Sequence, residues 1–306
     1  MTSNSPSSAL TDTKEYIPEA DSAARFYGPP PVSVQVAFGA ASDVGLVRKN
    51  NEDHYGIVQR LRSRRVLLTN VPAGELPPTQ EEAYALVVAD GMGGEACGEL
   101  ASRLALTTAW ELGGRETRWL MNPLGSDQTV EEDIEEQLQV FGGLLNKALR
   151  QRAEQQPEAA GMGTTLTVVY TVGSQGFVAH IGDSRAYLIR GSEISRLTND
   201  HTVAEDMLAS GATEAQVRRF HHVLSNCLTS DGQPVTVEFR PLRLESGDWI
   251  LLCTDGLSDL VLDREILSLV VLARAPQATC DALVSLALER GGRDNVTVVI
   301  GQYEFV

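Results

Sequence analysis

The chain has 306 residues, 42% of them hydrophobic, and 41 acidic against 25 basic side chains give a formal net charge of −16. That apolar content is ample for a packed core. The charge argues against nucleic acid and anionic membrane surfaces as partners, since both select Lys and Arg; it suits a chain that gathers divalent cations, and equally one that uses acidity for solubility.

Residues 1–31 are rich in Ser, Thr, Pro and acid and read as a flexible N-terminal tail ahead of a folded domain over 32–306. Alternation predicts a strand at "VSVQVAFGA", followed by strands at "HYGIVQR", "RRVLLTN" and "AYALVVA", with a polar, Pro-rich hairpin loop at 71–80. Helical spacing runs through "GELASRLALTTAWEL" and "TVEEDIEEQLQVFGGLLNKALRQRAEQ". Strands return at "TTLTVVYTV", "GFVAHIG" and "RAYLIRG", then a mixed segment at 198–233 carries two short helical patches. "VTVEFRPL", "DWILLCT", helices at 263–273 and 276–290, and a last strand "NVTVVIGQYEF" complete the chain. Short gaps between strands and helices that come in pairs predict an antiparallel α+β domain, not a doubly wound parallel sheet.

Cys97, Cys227, Cys253 and Cys280 lie far apart, with neither zinc spacing nor a disulfide framework, which fits reduced thiols. No run approaches transmembrane length, and the N-terminus lacks the basic-then-apolar order of a signal peptide. The expectation is a cytoplasmic protein with no membrane segment, and a monomer.

"ALVVADGMGGEACGELAS" poses the functional question. Gly91, Gly93 and Ala96 match the G-x-G-x-x-A dinucleotide fingerprint between a strand and a helix. The context opposes that reading: the fingerprint wants a second strand ending in an acid about 20 residues on, and Glu111 stands there inside a helical stretch. Asp90 would also set a negative charge against an anionic ligand. An ordinary Asp-Gly turn is the other reading, and Asp231-Gly232 is expected to be one.

Recurrence shifts the weight to the carboxylates. "YALVVAD", "FVAHIGD" and "WILLCTD" each run an apolar strand into an aspartate, at Asp90, Asp183 and Asp255. Asp294 precedes the last strand, and Glu52 and Asp53 precede the second. Clustered carboxylates repel unless a cation neutralises them. Carboxylates and water are the ligands of Mg²⁺ and Mn²⁺, and two such ions about 3.5–4 Å apart promote displacement at phosphorus. The residues themselves therefore point to a divalent-metal site and make phosphoester hydrolysis plausible.

Seven segments in order, "SDVGLVRKNNEDHYG", "VVADGMGGEACGELAS", "GMGTTLTVVY", "VAHIGDSRAYLIR", "RLTNDHTV", "GDWILLCTDGLSDLV" and "GGRDNVTVVI", give the chain a resemblance to bacterial metal-dependent serine/threonine protein phosphatases of the type 2C family over roughly residues 36 to 302. The resemblance implies a four-layer α-β-β-α sandwich of two antiparallel sheets with helix pairs outside. It implies that Asp90 bridges two catalytic Mn²⁺ or Mg²⁺ ions, that the Gly91 carbonyl completes one, and that Asp255 and Asp294 bind the other. Glu52 and Asp53 would hold metal-bound waters, Asp183 with Asp255 would bind a third, looser ion, and Arg48 would grip the substrate phosphate. The implied reaction is attack by a metal-bridging hydroxide on phosphoserine or phosphothreonine of a protein substrate, opposing a Ser/Thr kinase, without a covalent phosphoenzyme.

Plain alternatives stand beside these roles: Arg48 as a surface residue, Glu52 and Asp53 as strand caps, Asp183 as a turn residue. The chain also departs from the family. Met92 stands where many eukaryotic members carry a candidate proton-donating His, which leaves the proton donor unassigned. Glu95 stands where bacterial members commonly carry His, and the flap at about 198–233 keeps only part of the usual pattern in "FHHVLSNCLTSDG". His221 and His222 there read as surface groups rather than ligands. A phosphatase-like module that binds a phosphoprotein without turnover is the alternative function, and a phosphatase acting on an anti-sigma-factor antagonist is a variant of the first.

Overall fold

The protein is described by a computed structural model at residues 34–72, 75–76, 79–93, 97–115, 128–273 and 275–305. The expected tail at 1–31, part of the loop at 71–80, and Glu95 with Ala96 lie outside the described residues.

Strands β1 (Val34–Asp43), β12 (Val296–Phe305), β11 (Trp249–Cys253), β7 (Arg185–Arg190) and β8 (Glu193–Arg196) form one sheet in that order. A second sheet runs β10 (Glu238–Arg243), β6 (Gln175–Ile181), β5 (Leu166–Val172) and β3 (Thr79–Met92), with β2 (Asp53–Arg64) paired to β3 at its edge. Two-residue strands β4 (Gly163–Thr164) and β9 (Leu228–Thr229) extend this sheet from the far end of β3. Every pairing among the described strands is antiparallel, as the short gaps predict.

Three apolar clusters define the layers. Leu86, Val88, Val169, Ile250, Leu252 and Val299 pack between the two sheets. Residues of opposite parity on the second sheet pack with Ala101, Ala105, Leu145 and Leu149 of helices α1 (Cys97–Arg115) and α2 (Gln128–Gln155). On the first sheet, Leu251, Val298 and Ile300 pack outward on Ile266, Val270 and Leu283 of α6 (Asp263–Ala273) and α7 (Pro276–Glu289). Central strands buried on both faces explain why "ALVVA" and "WILLC" read as continuous apolar runs. The fold is a four-layer α-β-β-α sandwich. Short helices α3 (Val203–Ala209) and α4 (Glu214–Val217) occupy the mixed segment, and α5 (Asp255–Ser258) follows β11.

Three expectations need correction. "RRVLLTN" is strand only at its first residue: β2 ends at Arg64, whose partner Thr79 is the first residue of β3, and among the described residues no strand pairs with those beyond it. Leu67 and Leu68 are exposed there (78% and 96%), and strand propensity without a neighbour to pack on decides little. "VTVEFRPL" contributes strand only from Glu238. Nor does β3 stop at Asp90; it continues through Met92, because β4 supplies a partner for Gly91 and Met92.

Candidate metal centre

The site forms where the two sheets meet at one end. The β2–β3 register sets Asp53 directly opposite Asp90, an arrangement of like charges that is unfavourable without compensation. The backbone of Asp90 is held from the other side. Its N–H donates to Thr165 Oγ1 (2.9 Å), and its carbonyl accepts from Thr164 Oγ1 (2.8 Å) and the Thr165 N–H (2.9 Å). Gly91 is pressed between elements: a Cβ there would lie 2.1 Å from the Gly98 carbonyl oxygen of α1 and 2.8 Å from that of Glu52.

Asp53 is fixed from the other sheet, where Thr254 and Thr297 donate to its Oδ2 at 2.8 and 2.7 Å. Asp255 opens α5 one residue after Thr254, and Gly256 packs so closely on the Asn295 carbonyl that a Cβ would lie 1.9 Å from it. Asp183 follows β6 by way of Gly182, at φ +111°, whose missing Cβ makes room for Thr165. The Gly182 N–H donates to His201 Nδ1 (3.1 Å) and its carbonyl accepts from the His201 N–H (2.7 Å), while Arg185 grips Asp200 with three hydrogen bonds of 2.6–3.2 Å. The base of the mixed segment is thereby fastened to the turn that carries Asp183.

Asn295 splints the remaining loop. Its Nδ2 donates to the carbonyls of Val44 and Asn50 (both 2.9 Å), and its Oδ1 accepts from the Glu52 N–H (2.8 Å). Arg48, on that loop, holds Asp294 Oδ2 through Nη2 at 2.6 Å, with both side chains partly in solvent.

The electrostatics show convergence. Burial raises the Asp90 carboxyl far above its usual range, and Asp53, Asp255, Asp183 and Asp294 push it further. Asp53, Asp183 and Asp255 are also raised, burial first and neighbouring carboxylates after. Asp255 is relieved in part by a hydrogen bond with Asp90. Asp53 Oδ1 and Asp255 Oδ1 are buried without a hydrogen-bond partner. Among the described residues no three of Asp90, Asp183, Asp255 and Asp294 bring oxygens within 4.8 Å of one another, so they border a space rather than a point. Hard divalent cations with oxygen ligands fit that donor set, as they would fill the vacant acceptor capacity and remove the mutual repulsion.

Two further residues stand at the site, Asp259, which the sequence pattern does not mark, and His222, which reads there as a surface group. Asp259, at the end of α5, is raised by burial, and His222 Nδ1 lies 3.4 Å from its Oδ2. His222, Asp255 and Asp259 do bring ligand atoms within 4.8 Å. His222 is 70% exposed, as expected of a surface group, yet it faces the carboxylates; His221 pairs with Glu214 instead. Asp231-Gly232 forms a turn, with Gly232 at φ +76°.

Comparison with known proteins agrees with this geometry. A family model described as Protein phosphatase 2C matches residues 78–284. The serine/threonine protein phosphatase PstP of Mycobacterium tuberculosis is 35% identical over 272 residues, covering 88% of this chain and 45% of the relative, so the chain spans about half the length of that curated protein. Protein phosphatase PhpP of Streptococcus pneumoniae is 31% identical over 261 residues, covering 85% of this chain and 94% of PhpP. The crystal structure of M. tuberculosis PstP superposes with a TM-score of 0.67 at 32% identity, over 88% of this chain and 99% of that one. A structure of the PstP catalytic domain in complex with two manganese ions superposes with a TM-score of 0.65 at 33% identity, over 89% of this chain and 100% of that one. The chain belongs to the protein phosphatase 2C family.

Proposed function

We propose that this chain is a metal-dependent protein phosphatase that hydrolyses phosphoserine and phosphothreonine in proteins and opposes a Ser/Thr kinase, acting as a monomer in the cytoplasm. The observation that carries the reading is the set of mutually repelling carboxylates of buried Asp53 and half-buried Asp90, Asp183 and Asp255, with Asp53 Oδ1 and Asp255 Oδ1 left unsatisfied. Asp90, Asp255, Asp294 and the Gly91 carbonyl would hold two Mn²⁺ or Mg²⁺ ions, with Asp183 and Asp255 as the seat of a third. Such ions supply Lewis acidity and an activated water at neutral pH.

The chain's own residues do the rest. Asp53, locked by two threonine hydroxyls, and Glu52 would accept hydrogen bonds from metal-bound water and orient it. Arg48 presents a planar donor at the rim; in the substrate complex its guanidinium would take phosphate oxygens, which it can bind bidentately. Met92 has no proton to give, so the leaving alcohol is not protonated from that position. The four free cysteines suit a reducing compartment.

The test is turnover of a phosphothreonine peptide by purified chain with Mn²⁺. Release of phosphate that EDTA abolishes, and that Asp255→Asn lowers at least about a hundredfold, is the expected result. Undiminished turnover in EDTA, or Mn²⁺ binding with no turnover of any phosphopeptide, would overturn it.

A further inference from the structure

Away from the carboxylates, a cavity of about 660 Å³ lies between the outer face of the second sheet and helices α1 and α2. Protein interiors leave few voids larger than a water molecule, whereas small-molecule pockets run to about 300–1,000 Å³ and are mostly apolar with a few placed polar groups. Val58 and Val87 on the sheet and Phe141 and Leu145 on α2 are typical of this lining. Trp110, also in the lining, is 66% exposed.

Gly56 lies on the floor. It stands inside β2, where glycine costs about 0.5–1 kcal/mol relative to alanine. No positive φ demands it, and a Cβ added there would meet nothing within 4 Å. Neither backbone conformation nor close packing explains the missing side chain. A bulky molecule lying against the strand would.

Arg60, four residues along β2 and on the same face, carries the positive charge of the lining. It is half-buried and makes no ion pair with a described carboxylate; its partner is the Tyr170 hydroxyl, which also lines the cavity. Glu111, the acid of the lining, is exposed. A guanidinium keeps its charge at any physiological pH and offers paired N–H groups that match a carboxylate. In a chain of net charge −16, the half-buried charge facing this apolar volume is positive.

We propose that the cavity binds a single-chain amphiphile with a carboxylate head, of the fatty-acid class. The carboxylate sits on Arg60 and Tyr170, and the alkyl chain lies over Gly56 beneath α1 and α2. The occupant is non-covalent, and its site is separate from the metal centre.

Calorimetric titration of the full chain with dodecanoate, below its micellar concentration, tests this without any phosphatase assay, so its outcome is independent of the proposed activity. One saturable site is expected, with dodecanoate at least about tenfold tighter than dodecanol, the advantage of a charge-assisted pair. Arg60→Gln should erase that difference while dodecanol binds as before. Gly56→Leu, and Gly113→Leu on the α1 wall where a Cβ also meets nothing within 4 Å, should each abolish binding of both ligands with the melting transition retained. Two filling variants are used so that a folding defect in one does not remove the test. Absence of saturable dodecanoate binding, equal affinity for dodecanol or dodecylamine, or unchanged binding in a folded filling variant would overturn the proposal.

Discussion

Thr297 and Asp53, 244 positions apart, meet in a 2.7 Å hydrogen bond that the hydroxyl donates to carboxylate Oδ2. Thr254 donates to the same oxygen, and the Thr297 N–H donates in turn to Thr254 Oγ1, so a carboxylate of one sheet is held by two strand ends of the other. Hydrogen bonds to charged groups contribute about 1.5–3 kcal/mol. Thr297→Val, equal in shape and lacking the donor, should destabilise the chain by that amount in urea unfolding, and Thr297→Ser should recover most of it.

Metal removal should make stability depend on pH. Burial and neighbouring carboxylates lift Asp53 to about 7 and Asp183 to about 8. Folded values above unfolded ones mean that the folded chain holds the extra protons. Their contribution is complete below the ordinary carboxylate value and is lost as pH rises through about 7–8. In EDTA, stability should fall from about pH 4 up to about pH 7 for Asp53 and about pH 8 for Asp183, by up to about 1.4 kcal/mol per pH unit for each carboxylate, and level off above. His180, buried and lowered to about 4, acts in the opposite sense between about pH 4 and its ordinary value of 6.5, so the carboxylate slope is read above pH 6.5. Mn²⁺ at a hundred times its Kd should add about 2.7 kcal/mol and flatten the slope. A steep slope that persists with Mn²⁺ would contradict this account.

Arg48→Ala should act on the substrate rather than on the fold. The Arg48–Asp294 pair is half in solvent, and such pairs contribute about 0–1 kcal/mol. A lost charged hydrogen bond to phosphate is worth about 1.5–3 kcal/mol, or about 10–100-fold in kcat/KM. The loss should lie mainly in KM. Arg48→Lys should restore only part of it, because an ammonium cannot donate in bidentate fashion.

Gly91→Ala tests how tightly α1 is pressed onto the site. The added Cβ would meet two backbone carbonyl oxygens, those of Gly98 and Glu52, and neither can rotate away. Destabilisation of about 1–3 kcal/mol or more is expected, with a fall in activity as Asp90 moves. Gly143→Ala, inside α2 where a Cβ meets nothing within 4 Å, serves as the control and should stabilise by about 0.5–1 kcal/mol.

Much of this was legible in the sequence, for reasons that differ by element. The helix at 128–155 and the strand at 296–305 match their expected spans closely because their patterns are long and strongly periodic. "RRVLLTN" failed because its residue types favour strands while no described strand residue pairs with it beyond Arg64. The acids at Asp90, Asp183, Asp255 and Asp294 stood out through recurrence at strand ends. Nothing local marked Thr254 and Thr297 as the holders of Asp53, since that pairing exists only across the two sheets. Asp259 was likewise silent, as an acid just after a one-turn helix, and His222 read as a surface histidine; only the fold turns them toward Asp255.

The pairing of Val34 with Phe305, at the two ends of the described domain, has a consequence for biogenesis. β12 lies between β1 and β11, and it carries Thr297 and follows Asp294 and Asn295. A chain emerging from the ribosome exposes β1 without its hydrogen-bonding neighbour until some 260 further residues have been made, on the order of tens of seconds at cellular elongation rates. Asp53 and the Arg48 loop lack their supports for that whole interval. The carboxylate centre therefore cannot be completed before the C-terminal strand is made, and a nascent or C-terminally clipped chain carries its acids without the architecture that holds them.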